Sequence, residues 1–164
     1  YPQVKEFQDN MRELADRYGK VTYPNVFRTY THVTETGRRY FFKEYLQEEG
    51  WAKKASGRAY SWSPTELKNY PVQGLATGDI VPMMLGVIFR KLRGLEYVRM
   101  VNTVHDSIMF DVRKEYQDVF VDQISGILMN THAYFQETFK KPLALKLKAG
   151  ASVGKNWFNM EELS

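Results

Sequence analysis

Tyr97 to Val112 reads YVRMVNTVHDSIMFDV. Val98, Met100 and the β-branched cluster up to Val104 predict one strand, and Ile108 to Val112 a second. His105-Asp106-Ser107 falls at the bend of the hairpin they form. Helices are expected on either side. Upstream, Ser63-Pro64-Thr65-Glu66 reads as an N-cap, a proline in the first turn and a capping-box glutamate. The helix it opens carries Asn69-Tyr70-Pro71-Val72-Gln73-Gly74. Pro71 and Pro82 each remove a backbone donor, so the region up to Arg93 is expected to be kinked or broken, burying Ile80, Met83, Met84, Val87, Ile88 and Leu92. Downstream, a long helix is predicted from about Lys114 to Lys140, with a weak point at Gly126. Leu143, Leu145 and Leu147 then alternate with Ala144, Lys146 and Lys148 as a half-buried strand.

The N-terminal part begins with Val4, Phe7, Met11, Leu14 and Tyr18 at helical spacing, entered by Pro2 and stopped by Gly19. Val21 to Val33 predicts a loop with short strands, Gly37-Arg38-Arg39 a turn into the aromatic strand Tyr40-Phe41-Phe42, and Lys43 to Ser61 an exposed insertion. The sum is an α+β domain, helices over an antiparallel sheet. With 164 residues the chain suits one domain. At 43% hydrophobic and 26% charged it is neither collagen-like nor disordered. The absence of Cys excludes disulfides, thiol catalysis and Cys-ligated zinc. No secretory signal is visible. The longest uncharged apolar run, Ile80 to Phe89, falls short of the roughly 20 residues of a membrane helix, so a soluble chain with no membrane partner is expected.

Asp106 is the residue that suggests chemistry. A carboxylate on a tight hairpin is held rigidly yet projects into solvent, which suits Mg²⁺, an ion content with one or two carboxylates plus water and phosphates. The bland alternative is a turn Asp whose side chain bonds local backbone. Two-metal chemistry needs a second carboxylate nearby. Asp111 lies roughly 17 Å away along the strand, and Asp79, at the head of an apolar helix, reads as an N-cap. The second carboxylate is therefore expected outside these residues. The chain is mildly basic, with 23 Lys and Arg against 19 Asp and Glu. Its cations gather at Arg38-Arg39, at Lys53, Lys54, Arg58 and Lys68 among aromatic residues, and between Lys140 and Lys155, a pattern compatible with phosphate contacts. Asn69 and Gln73, four apart, share a helix face and carry amides able to read minor-groove acceptors. The three His show no metal-ligand spacing. Gly150 to Asn156 lacks the hydroxyl residue of a phosphate loop.

Taken in order, these pieces resemble the C-terminal part of family A, DNA polymerase I-like, DNA polymerases, especially phage replicative members. Tyr1-Pro2-Gln3-Val4 is similar to the opening of the helix after the fingers, and Gly37-Arg38-Arg39-Tyr40 to the family's GRR turn. Asn69-Tyr70-Pro71-Val72-Gln73-Gly74, with Asp79-Ile80 beyond, resembles its N-x-P-x-Q-G…D-I motif. Val104-His105-Asp106 resembles its palm hairpin, motif C, and Gly154-Lys155-Asn156-Trp157 its C-terminal ending. The resemblance implies that residues 1–164 form a C-terminal palm and fingers portion: an antiparallel palm sheet with a catalytic hairpin, covered by long helices. The implied function is template-directed DNA synthesis by two-metal nucleotidyl transfer. Asp106 would bind the Mg²⁺ pair with a carboxylate from outside the chain, and His105 would lie beside the primer terminus. Asn69 and Gln73 would touch the minor-groove side of primer–template DNA, while Arg38, Arg39 and Lys68 would meet DNA.

Three departures accompany the resemblance. Ser107 replaces the family's frequent Glu, the Gln-Gly to Asp-Ile spacing is one residue longer than in bacterial members, and residues 22–34 and 43–62 read as insertions. Motif A and the fingers helix are not found. An N-terminal polymerase fragment is expected to supply them, together with thumb and exonuclease. The start at Tyr1 without Met fits a split gene, a cleavage product or one chain of a reassembled enzyme, with dNTP as substrate and the bacterial or phage-infected cytoplasm as its place. The alternative is a non-catalytic DNA-binding or interaction module that retains the palm scaffold, which Ser107 favours.

Overall fold

Apolar spacing, proline placement and strand alternation produce an α+β chain. The structure, a computed structural model, describes residues 2–47, 59–144 and 147–163. Among these the strand pairs are all antiparallel and are distributed over three sheets. The chain divides into two compact units, Tyr1–Leu75 and Ala76–Ser164.

In the first unit, α1 (Pro2–Tyr18) ends where Gly19 donates its N–H to the Ala15 carbonyl. Only the middle of its predicted apolar face is used: Met11 and Ala15 are buried, whereas Val4, Phe7 and Tyr18 are exposed. A four-stranded sheet follows in the order β1 (Lys20–Val21), β2 (Arg28–Val33), β3 (Arg39–Leu46), β4 (Tyr60–Trp62). The stretch expected to be an insertion is therefore partly sheet, since Lys43 to Leu46 extends β3 and pairs with β4. Lys53, Lys54 and Arg58 lie outside the described residues. Helix α2 (Pro64–Gln73) starts as expected, with Ser63 Oγ accepting from the Glu66 N–H at 3.3 Å. The Glu66 carboxylate does not return to the cap. It accepts from the Tyr45 hydroxyl at 2.8 Å, which pins α2 to β3. Met11, Ala15, Tyr30, Phe42, Trp62 and Leu67 form the core between helices and sheet.

One ion network locks this unit. Arg28 donates from Nε and Nη2 to Glu44 Oε1 at 3.0 and 2.8 Å, and its backbone N–H reaches Oε2 at 2.8 Å. Nη2 also meets Asp16 Oδ1 at 2.9 Å, an oxygen that accepts from Trp62 Nε1 as well. The Glu44 side chain is fully buried, so these donors satisfy a charge that would otherwise be costly in the interior. The hydrogen bond to Glu44 holds the Arg28 guanidinium above its ordinary pKa.

Gly74–Ile80 is π-helical and is followed by α3 (Val81–Leu92). The kink or break expected from Pro71 and Pro82 takes this form. The segment between Gln73-Gly74 and Asp79-Ile80 runs through this wider turn. Asp79 is no N-cap: it is buried inside the π segment. Met84, Val87, Ile88 and Leu92 are buried as expected. Taken together, Pro64–Leu92 is long and apolar enough to cross a membrane by length and composition. Counting only uncharged residues misses this, because Asp79 and the proline turns interrupt the run without ending the helix.

In the second unit, β5 (Val98–Val104) and β6 (Ser107–Val112) form the predicted hairpin. The expected single helix after it is divided into a 3₁₀ turn at Lys114–Tyr116, α4 (Gln117–Met129) and α5 (Thr131–Phe139). The break falls at Asn130 rather than Gly126, because the Asn130 amide bonds the Gly126 carbonyl at 2.8 Å and Thr131 Oγ1 bonds that of Leu128. These side chains compete with the helical ladder. Leu143, Ala144, Leu147 and Lys148 are not in a strand, and Leu145 and Lys146 lie outside the described residues. The C-terminal strands are instead β7 (Ala151–Val153) and β8 (Glu161–Leu163), paired with each other. The Gly154-Lys155-Asn156-Trp157 stretch between them is structural: Asn156 Oδ1 accepts from the N–H groups of Phe158 and Asn159 at 3.1 and 3.0 Å.

Candidate functional site

The hairpin is supported from one side. Phe110 packs edge-on against Phe120 of α4 with centroids 5.0 Å apart, and Tyr97 stacks on Tyr116 at 4.5 Å. The Tyr97 hydroxyl donates to Gln123 Oε1 at 3.1 Å. The register slips between Met100 and Asn102, leaving Val101 as a β-bulge. Bulges raise local twist and often re-aim side chains near functional sites. Anchored at its base, the ribbon presents its tip to solvent: His105, Asp106 and Ser107 are all exposed.

The bend itself is only two residues long, because Val104 pairs directly with Ser107. His105 has φ 54°, in the left-handed region, while Asp106 does not have positive φ. Glycine is favoured at that first position, and a His held there costs about 1–2 kcal/mol. The Ser107 hydroxyl donates to the Val104 carbonyl across the bend at 2.8 Å. Asp106 makes no hydrogen bond or ion pair among the described residues. The bland reading of a turn Asp, a carboxylate spent on local backbone, therefore does not describe Asp106. Its backbone is set by the bend and its carboxylate is open to solvent.

The amide pair lies in the first unit. Asn69 and Gln73 are exposed on α2, Lys68 is half-buried, and Leu67 and Pro71 are buried between them. A Cβ on Gly74 would coincide with the Tyr40 hydroxyl, so the glycine after Gln73 lets β3 approach the end of α2. Arg38 and Arg39 are exposed at the β2–β3 turn. That turn is closed by Gly37 at φ 86° and by the Arg38 N–H donating to Thr34 Oγ1 at 3.1 Å. These residues belong to one unit, and His105 and Asp106 to the other.

The ordered motifs now stand on defined elements, and the sequence as a whole can be placed. The family model for DNA polymerase family A matches residues 1–159. The chain belongs to DNA polymerase family A. No solved structure matches it. The activity served by this polymerase chain is DNA-directed DNA synthesis, a nucleotidyl transfer. Among its described residues, no group of three or more His, Asp or Glu comes together to hold a metal ion. A lone solvent-facing carboxylate fits Mg²⁺ as one ligand, since that ion takes one or two carboxylates and leaves the rest to water and phosphate oxygens.

Sequence reading missed the role of Tyr40 as the group packed on Gly74. Its signal was the strict alternation of β3, which turns Tyr40 and Phe42 inward.

Proposed function

We propose that residues 1–164 form the C-terminal palm and fingers portion of a phage-type family A polymerase, in which Asp106 is the motif C metal ligand. The observation that supports this reading is the state of Asp106: at a two-residue bend, exposed and unengaged, while the Ser107 hydroxyl bonds the Val104 carbonyl. Asp106 would be one of the carboxylates holding the Mg²⁺ pair. The chemistry Mg²⁺ would supply there, with Asp106 as one of the groups holding it, is activation of the primer 3′-hydroxyl and neutralisation of charge on the departing pyrophosphate. The second carboxylate comes from polypeptide outside these residues, which also carries motif A, the fingers helix, thumb and exonuclease, whether joined covalently or as a separate chain.

His105 lies beside the primer terminus. Asn69 and Gln73 donate to the N3 and O2 acceptors of the minor groove, a pattern nearly blind to sequence and therefore suited to checking base-pair shape. Arg38, Arg39 and Lys68 meet the phosphate backbone of primer–template DNA, and dNTP is the substrate. The enzyme works in the cytoplasm of a bacterial or phage-infected cell. Ser107, whose hydroxyl bonds the Val104 carbonyl across the bend, is compatible with this role. The test is primer extension with Mg²⁺ and dNTP by this chain alone and mixed with the N-terminal polypeptide. Synthesis is expected only from the mixture; robust synthesis by the chain alone defeats the proposal.

A further inference from the structure

Strand β3 alternates in exposure along its length. Tyr40, Phe42 and Glu44 turn toward the interior, and Arg39, Phe41, Lys43 and Tyr45 turn away from it. Successive outward residues stand about 6–7 Å apart. Phe41 is 76% exposed. Across the ladder, Val33, Thr31 and Thr29 of β2 pair with Arg39, Phe41 and Lys43. The outward residues of β2 and β3 thus carry two cations, exposed rings and two hydroxyls, and the Glu66 carboxylate of α2 reaches the end of this row, where it accepts from the Tyr45 hydroxyl at 2.8 Å. The Lys43 ammonium sits 5.3 Å from the centre of the Tyr45 ring. At the rim, Tyr45, Tyr70 and Glu66 line a groove of about 440 Å³ together with Phe41 and Lys43.

We infer that this outward sheet face binds single-stranded DNA, with a base stacked on Phe41 and phosphates paired to Lys43 and Arg39. Stacking on rings is indifferent to sequence because every base offers a π-face, and interleaved cations track the backbone. Charge decides between a polyanion and an apolar protein partner: a protein surface would match the ring but leave two desolvated cations without counter-charges. The inference rests on the proposed function for the choice of DNA as the polymer. Asn69 and Gln73 lie in the same compact unit, so one body can hold both duplex and unpaired template.

Fluorescence anisotropy of the 164-residue chain with fluorescein-labelled oligo(dT) tests this. Phe41→Ala is expected to weaken binding about tenfold. Lys43→Gln weakens it less and lowers the slope of log K against log salt by about 0.7. Phe158→Ala removes a ring that is 95% exposed in the other unit and leaves binding unchanged. Circular dichroism checks that each variant is folded. No measurable binding by the unaltered chain, unchanged affinity in both sheet-face variants, an equal loss in Phe158→Ala, or tighter binding of oligo(rU) than of oligo(dT) each overturns the inference. The joint replacement Asn69→Ala and Gln73→Ala separates the two readings. A weaker grip on blunt duplex in that variant, beside unchanged oligo(dT) binding by Phe41→Ala, leaves the proposed function standing while the sheet-face inference falls.

Discussion

Glu44 and Asp106 are both carboxylates, and the two units treat them in opposite ways. Glu44 is buried in the first unit and saturated by three donors of Arg28. Asp106 stands at a bend of the second unit, exposed and without a partner among the described residues. A buried, satisfied charge fixes the arrangement of the elements around it. A charge held in solvent at a strained bend contributes little to folding and is available for binding. The difference separates a carboxylate that organises structure from one suited to chemistry, and its consequences can be measured.

The largest stability effect belongs to Glu44. Glu44→Ala leaves the Arg28 guanidinium part-buried without its main partner, and should cost about 3–5 kcal/mol in denaturant unfolding. Asp106→Ala should leave unfolding within about 0.5 kcal/mol of the parent, as expected for an exposed side chain away from packing. A comparable loss in both would erase the distinction. Gly74→Ala drives a methyl group into the Tyr40 hydroxyl and should cost about 1–3 kcal/mol. Tyr40→Phe combined with it should recover part of that loss. His105→Gly relieves the left-handed bend and should gain less than about 1 kcal/mol, because glycine gives back part of the benefit as unfolded-state entropy.

The smallest effect is a pH dependence in the first unit. Burial pushes the His32 pKa down, and Tyr30, whose own pKa is raised by burial, lies 3.2 Å from Nδ1 through its hydroxyl. The phenol stays protonated and shares a hydrogen bond with His32 Nδ1. The unfolded chain takes up a proton near the ordinary His value of about 6.5, which the folded chain resists. This contribution is complete above that pH and is lost as pH falls through the window below it. His32→Gln should flatten the acid side of a stability-against-pH curve; an unchanged slope would remove His32 from the account.

Elements with strong local signals were legible in the sequence. The hairpin around Asp106, the Ser63 cap and the Gly19 stop follow from turn and cap chemistry acting over a few residues. The division at Asn130 was not legible, because an Asn side chain competes with the helix only when its geometry lets it reach the Gly126 carbonyl. Leu143 to Lys148 alternates like a strand yet forms none over its described residues, since alternation supplies a face but not a partner. Residues 43–46 looked like insertion because charge masked the period of two that continues from Arg39. At the site, the exposure of Asp106, Asn69 and Gln73 was foreseeable, whereas the bond from the Ser107 hydroxyl to the Val104 carbonyl needed coordinates.

The central claim is that the Asp106 carboxylate acts as a metal ligand in DNA synthesis. Its most direct test is Mg²⁺-dependent primer extension by the chain combined with its N-terminal polypeptide, comparing the parent with Asp106→Ala and measuring primer–template affinity in parallel. The account predicts a loss of incorporation on the order of a thousandfold or more with DNA affinity nearly unchanged, as expected when a group acting on the transition state is removed. Incorporation by Asp106→Ala within a few-fold of the parent would contradict it.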